Sequence, residues 1–173
     1  MLISKSLLKK FQKIRLVLTD VDGVLTDGGM YYTKDGDTMK RFFVRDGMGV
    51  TLLRKKNIRT IIITKEKTRM VKQWVKNMKI EKLYDGIIHK ELLLNKICKK
   101  YNVSTEEIAY IGDDVNDLEL LKRVGLSATP SDASEDAIKL CDYVCKHRSG
   151  NGAFRELADL ILSSQNNKHK TSM

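Results

Sequence analysis

The chain has a single proline and no stretch rich in glycine and serine, so nothing in it reads as a linker. It has no apolar run near the ~20 residues that a membrane-spanning helix requires, and no membrane partner is expected. Residues Met1 to Lys13 alternate apolar and basic positions without a signal-peptide core or a small-residue cleavage site. They read as a short amphipathic lead-in helix over 1–13, and a cytoplasmic protein is expected. Cysteines number three, and Cys141 and Cys145 have no histidine pair nearby to complete a zinc pattern. Buried, reduced thiols follow. Aromatics are 6% of the residues, and no internal repeat is visible.

What the chain has in excess is positive charge, a net +10. The lysines and arginines are scattered along every predicted helix rather than gathered in one stripe, and few aromatics accompany them. That pattern speaks against a nucleic-acid partner and for a surface that draws in a small anionic substrate. A chain of 173 residues fits one domain over 1–173. At that size roughly 70% of the unfolded surface is buried, so no disulfide or structural metal is needed. The polar, basic stretch from Ser163 to Met173 reads as a disordered tail.

Apolar runs alternate with helical patterns, the sequence form of a mostly parallel, doubly wound α/β sheet covered on both faces. Strands are expected at 15–19, 59–63, 82–84, 108–111, 126–128 and 143–144. Helices are expected at 47–56, 66–78, 89–101, 117–124, 133–140 and 153–162. Between the first strand and the first long helix lies Lys34-Asp35-Gly36-Asp37, flanked by the β-prone runs 28–33 and 38–44. Asp-Gly between two such runs signals a β-hairpin projecting from the first strand.

The chemistry is concentrated at strand ends. Ile14-Arg15-Leu16-Val17-Leu18-Thr19 runs straight into Asp20-Val21-Asp22-Gly23, and Ile108-Ala109-Tyr110-Ile111 into Gly112-Asp113-Asp114. In open α/β sheets ligands bind at the carboxyl ends of strands. Thr64 and Lys90 fall at or just past two other strand ends. An aspartate can attack phosphorus and form an acyl phosphate, and a second one two residues on can exchange a proton with the leaving alkoxide and then with water. A hydroxyl and an ammonium can hold the phosphoryl oxygens as charge builds there. Paired acids from a distant strand end suit a hard divalent cation. Backbone N–H groups of the turn at Val21 to Gly23 can cradle phosphate. The sum is a metal-dependent phosphoryl-transfer enzyme. A signalling receiver domain also joins acids, a threonine and a lysine, but there the threonine and lysine follow the last acid; here they precede it.

Taken together, Asp20-Val21-Asp22-Gly23-Val24, Thr64 after Ile61-Ile62-Ile63, Lys90, and Gly112-Asp113-Asp114-Val115-Asn116-Asp117 resemble the haloacid dehalogenase superfamily, over roughly residues 14 to 162. Within it, Gly23 to Gly28, Val44-Arg45-Asp46-Gly47, Val124 to Ala128 and Gly150 to Glu156 resemble the capless phosphatases of 3-deoxy-D-manno-octulosonate 8-phosphate. The resemblance implies a Rossmann-like fold without a cap domain and hydrolysis of a 2-keto-3-deoxy sugar acid phosphate. It implies Asp20 as nucleophile and Asp22 as acid/base. Mg2+ would be held by Asp20, Asp113 and the Asp22 carbonyl, with Asp114 and Asp117 in support, and Thr64 and Lys90 would contact phosphate. Gly23, Arg45, Asp46, Glu66 and Arg155 are further supporting or substrate-contact candidates. The same resemblance implies a homotetramer with the hairpin at the subunit interface.

Two departures bear on the substrate. Lys65 stands where the family usually has glycine. Thr64-Lys65-Glu66-Lys67-Thr68 and Gly28-Gly29-Met30-Tyr31-Tyr32 also resemble the branch acting on nonulosonate (deaminoneuraminate or N-acetylneuraminate) 9-phosphates, while Val44-Arg45-Asp46-Gly47 favours the eight-carbon branch. A non-catalytic oligomerisation domain, like that of sialic acid-activating synthetases, is the third reading, and the filled catalytic positions speak against it.

Overall fold

A computed structural model describes residues 3–170. Its centre is a six-stranded parallel sheet. The main strands are β1 (Leu16–Thr19), β4 (Arg59–Ile63), β5 (Lys82–Tyr84), β6 (Ile108–Ile111), β7 (Leu126–Thr129) and β8 (Tyr143–Val144), and they lie in the order β5-β4-β1-β6-β7-β8. A separate antiparallel hairpin pairs β2 (Tyr31–Thr33) with β3 (Gly36–Met39). The helices are α1 (Lys5–Lys13), α2 (Val44–Lys55), α3 (Arg69–Met78), α4 (Leu94–Tyr101), α5 (Leu118–Leu121), α6 (Glu135–Leu140) and α7 (Ala153–Lys170).

The central strands are buried on both faces, which is why they read as continuous apolar runs rather than alternating ones. Alternation survives in which core each side chain joins. Leu16 and Leu18 of β1, with Ile61 and Ile63 of β4, pack on α4, α5 and α6 through Leu94, Ile97, Leu120 and Ala137. Val17 and Ile62 face the other way, onto Phe11 of α1, Val50 and Leu53 of α2, and Phe154, Leu157 and Ile161 of α7. Each such Leu, Ile or Phe contributes about 1.5–3 kcal/mol by leaving water, and the central strands are thereby fixed as a rigid platform.

The strand expectations hold to within a residue. The lead-in helix forms from Lys5, with Ser4 accepting the Leu7 amide, while Met1 and Leu2 lie outside the described residues. The hairpin forms with a tighter turn than expected, because Gly36 adopts φ +104° and starts β3 two residues early. Its second limb ends at Met39, and Val44 already begins α2. α2 presses closely on its neighbours. A Cβ on Gly47 would meet the Met78 sulfur at 2.6 Å, and one on Gly49 the Arg155 backbone at 3.3 Å. Close approach outweighs the poor helix propensity of glycine.

Four other boundaries differ. Residues 66–68 lie outside any helix, and α3 starts at Arg69 with Thr68 as its cap. The segment expected to be helical from His89 opens with a 3-10 turn at Lys90–Leu93, where the Lys90 side chain enters the core. A 3-10 turn over Val115–Asp117 precedes a short α5. The tail expected from Ser163 is instead a continuation of α7 to Lys170. Ser164 is buried, and Gln165 donates from its side chain to the Ile14 carbonyl at 2.7 Å, so polar residues here lie against the end of α1. Residues 171–173 lie outside the described residues.

Candidate active site

In this strand order the chain leaves β1 toward β4 and β5, then returns to place β6 on the other side of β1. The crossovers diverge between β1 and β6, making the topological switch point where α/β sheets open a crevice. Asp20 follows β1, and its amide donates to the Ile111 carbonyl of β6 at 3.0 Å. Gly112 and Asp113 follow β6, Thr64 follows β4, and Lys90 comes in beyond β5. Four strand ends therefore converge on one edge.

Carboxylate oxygens of Asp20, Asp113 and Asp117 lie within 4.8 Å of one another. Gly23 makes room for this approach. Its φ is +81°, and a Cβ there would sit 1.9 Å from the Asp113 carboxylate. Behind the acids stands Lys90, fully buried. Its ammonium is 2.7 Å from Asp20 Oδ2, 2.6 Å from Asp117 Oδ1 and 3.4 Å from the Tyr110 hydroxyl. Asp117 also accepts from the Tyr110 hydroxyl at 2.5 Å through Oδ1, and from the Asp113 amide at 2.9 Å through Oδ2. Asp117 is thus the internal anchor of the cluster, while Asp20 and Asp113 are less committed.

Burial sets the electrostatics. It pushes the Asp20 carboxyl up to about 7; Lys90 pulls it down and Asp117 pushes it further up. Burial, followed by Asp20 and Asp117, raises Asp113 to about 8. Burial alone would lower the Lys90 pKa, but Asp20 and Asp117 outweigh it and hold the ammonium above its ordinary value. Burial and the neighbouring carboxylates keep Tyr110 protonated, so it remains a donor. Three carboxylates face one ammonium, which is a site short of positive charge with hard oxygen donors converging. A divalent cation of the Mg2+ class fits it.

The cleft in front measures about 170 Å3 and is lined by Asp20, Asp22, Thr64, Lys65, Glu66, Asp113, Asp114 and Asn116. Lys65, in the position that resembled a family glycine, is exposed at the rim. Thr64 is buried, with its oxygen accepting the Glu66 amide at 3.3 Å, which leaves its own proton free to donate. The Asp114 side chain accepts the Val115 amide, capping the turn.

Three candidates sit elsewhere. Asp46 is fully buried, and its Oδ1 accepts the Arg155 amide at 2.8 Å, capping the start of α7 rather than facing the cleft. Arg45 and Arg155 line a separate groove with His147 and Lys146, and Arg155 pairs with Asp159 at 2.8 Å. Two residues escaped the sequence reading. Tyr110 passed as one more apolar strand residue. Lys40, inside the second β-prone run of the hairpin, was given no role, yet its ammonium lies 2.6 Å from Asp22 Oδ1 and its side chain is only 2% exposed.

A model of the haloacid dehalogenase-like hydrolases matches residues 56–157. The 3-deoxy-D-manno-octulosonate 8-phosphate phosphatase KdsC of Escherichia coli K12 is 37% identical over 163 residues, covering 94% of this chain and 87% of the relative. The chain belongs to the haloacid dehalogenase-like hydrolase family. Among solved structures, the cobalt-bound octulosonate 8-phosphate phosphatase of Haemophilus influenzae superposes with a TM-score of 0.88 at 35% identity, covering 91% of this chain and 92% of that one. The Moraxella catarrhalis 3-deoxy-D-manno-octulosonate 8-phosphate phosphatase, in complex with magnesium, phosphate and KDO, gives 0.89 at 34% identity over 95% of both chains. As a haloacid dehalogenase-like hydrolase with such relatives, the chain is a phosphatase.

Proposed function

We propose that this phosphatase hydrolyses 3-deoxy-D-manno-octulosonate 8-phosphate with Mg2+ as its cation. The observation that carries the reading is the convergence of Asp20, Asp113 and Asp117 behind a cleft that also holds Asp22 and Thr64. The Asp20 carboxylate attacks phosphorus and forms an aspartyl phosphate while the P–O bond to the sugar breaks. Asp22 gives its proton to the departing alkoxide, then takes one from the water that attacks phosphorus, which frees Asp20 and inorganic phosphate. The Thr64 hydroxyl and the backbone N–H groups of Asp22 and Gly23 donate to phosphoryl oxygens. Lys90 holds the Asp20 carboxylate in place. Asp20, Asp113 and the Asp22 carbonyl would hold the cation, with Asp114 and Asp117 in support. When bound, Mg2+ supplies positive charge to the phosphoryl group and the clustered carboxylates.

The chain acts as a single catalytic unit in this reading. The hairpin exposes Met30, Tyr31, Tyr32 and Met39, an apolar surface suited to burial against other copies, and supports a homotetramer. Among the described residues no helix is long and apolar enough to cross a membrane. The free thiols of Cys98, Cys141 and Cys145 suit the reducing cytoplasm.

The nonulosonate alternative rests on the resemblance of residues 64–68 and 28–32, of which Thr64, Lys65 and Glu66 line the cleft. Phosphate release from the 8-phosphate and from deaminoneuraminate 9-phosphate, with Mg2+ present, separates the two. Turnover should favour the octulosonate, and Asp20→Asn should lower it by at least about 10³-fold. Preference for the nine-carbon substrate reverses the assignment, and full activity in Asp20→Asn refutes Asp20 as the nucleophile.

A further inference from the structure

Asp22 is held unevenly. Its Oδ1 receives the Lys40 ammonium at 2.6 Å and lies 3.3 Å from the Thr26 hydroxyl. Its Oδ2 has no hydrogen-bond partner among the described residues. Oδ1 is thus engaged from two sides and Oδ2 is left open. An oxygen facing an ammonium is the wrong place to carry an exchanged proton, because the two hydrogens would be directed at each other.

Lys40 is itself well fixed. Its side chain is 2% exposed, and a second carboxylate, Asp37 of β3, lies 3.4 Å from the ammonium. Burial alone would lower its pKa, but hydrogen bonding and charge from Asp22, then Asp37, hold it above the ordinary value. The lysine stays charged in place. It enters from the base of the hairpin, where Thr26 and Phe42 form an isolated antiparallel bridge.

We propose that Lys40 is a positioning residue for phosphate-ester hydrolysis, anchoring Oδ1 of Asp22 so that the proton exchanged with the leaving group travels on Oδ2. The proposal rests on the reading of Asp22 as the acid/base. No bond beyond those already described is made or broken. The Oδ2–H proton passes to the alkoxide as the P–O bond opens, and Oδ2 later accepts the proton from water. A carboxyl free to rotate presents its proton in the wrong direction for part of the time, and misplacement of about 1 Å is enough to cost 10²-fold.

The test uses the full chain loaded with Mg2+ and two leaving groups. A sugar-acid phosphate leaves as an alkoxide and needs the proton; 4-nitrophenyl phosphate leaves as a stable phenolate and does not. For Lys40→Met, kcat on the sugar-acid phosphate should fall at least about 10-fold with KM within about 3-fold, whereas the pre-steady-state burst of nitrophenolate should slow by less than about 3-fold. Lys40→Arg, which keeps the charge and a donor, should recover most of the loss. Equal losses on both substrates would mark a purely structural role and overturn the proposal. So would a rise in KM alone, which marks a substrate contact, or no change at all. Should Lys40→Met not fold, Lys40→Gln read against Lys40→Arg on the same two substrates decides. Asp22→Asn separates the layers. If it keeps full activity on the sugar-acid phosphate, the acid/base reading itself fails; if it is inactive there while Lys40→Met is unimpaired, only the Lys40 proposal fails.

Discussion

Mg2+ binding should release protons and strengthen steeply between pH 6 and pH 8. Without a cation, burial holds Asp20 at about 7 and Asp113 at about 8, whereas a cation requires both ionised. At pH 6 roughly one in ten molecules has Asp20 ionised and one in a hundred has Asp113 ionised. At pH 8 the fractions are about nine in ten and one in two. The product of the two rises on the order of 10²-fold or more, and affinity should follow it. Proton release per ion should be near two at pH 6 and fall below one by pH 8.

The same shifts fix the sign of the stability effect. A carboxyl whose pKa is raised by folding prefers its proton in the native state. The metal-free protein therefore loses stability as pH rises from the unfolded carboxylate range through 7 and 8. Mg2+ offsets that loss, so the gap in melting temperature between Mg2+ and chelator should widen from pH 6 to pH 8. Calorimetric titration in two buffers of different ionisation heat counts the protons directly. Equal affinity at pH 6 and pH 8, with no proton release, would refute the assignment of Asp20 and Asp113 as ligands.

Lys90→Met should destabilise the metal-free protein by about 3–5 kcal/mol at pH 8, because it strands Asp20 and Asp117 without their buried partner. The loss should shrink toward pH 6, where Asp20 takes up a proton, and urea midpoints at the two pH values test this. Asp46→Asn should gain stability relative to the parent as pH rises from about 4 to above 6. Burial lifts Asp46 to about 6 despite the α7 amides it caps, so ionising it costs the folded state up to about 3 kcal/mol. A pH-independent difference between the two proteins counts against that burial cost.

The sheet was legible because its strands are short apolar runs bounded by charge: Arg59 opens β4, and Asp113 closes on β6. The acids were legible for the same reason, since strand ends locate them without any knowledge of tertiary contacts. What stayed hidden depends on contacts between distant segments. Lys90 was placed at the site as a phosphate contact, but only the strand order shows that its partners are Asp20 and Asp117. Lys40 follows an exposed hairpin, and only the return of the chain along the Thr26–Phe42 bridge brings it to Asp22. Asp46 resembled a substrate contact, but the meeting of α2 with α7 makes it a helix cap. The end of α7 read as a tail because its polar residues bond to α1, a partner more than a hundred positions away in the chain.

The two buried lysines also divide the chemistry. Asp20, Asp113 and Asp117 share one ammonium, Lys90, and when all three are ionised two negative charges remain uncompensated. A divalent cation balances that remainder; a monovalent one does not. Asp22 has Lys40 for itself apart from the weaker contact with Asp37, and it approaches neutrality without any metal. Under the proposed roles, the nucleophile shares its lysine with another acid while the proton carrier has one nearly to itself, although only Val21 stands between them in the chain. An Asp20 neutralised by a lysine of its own would lose its demand for metal.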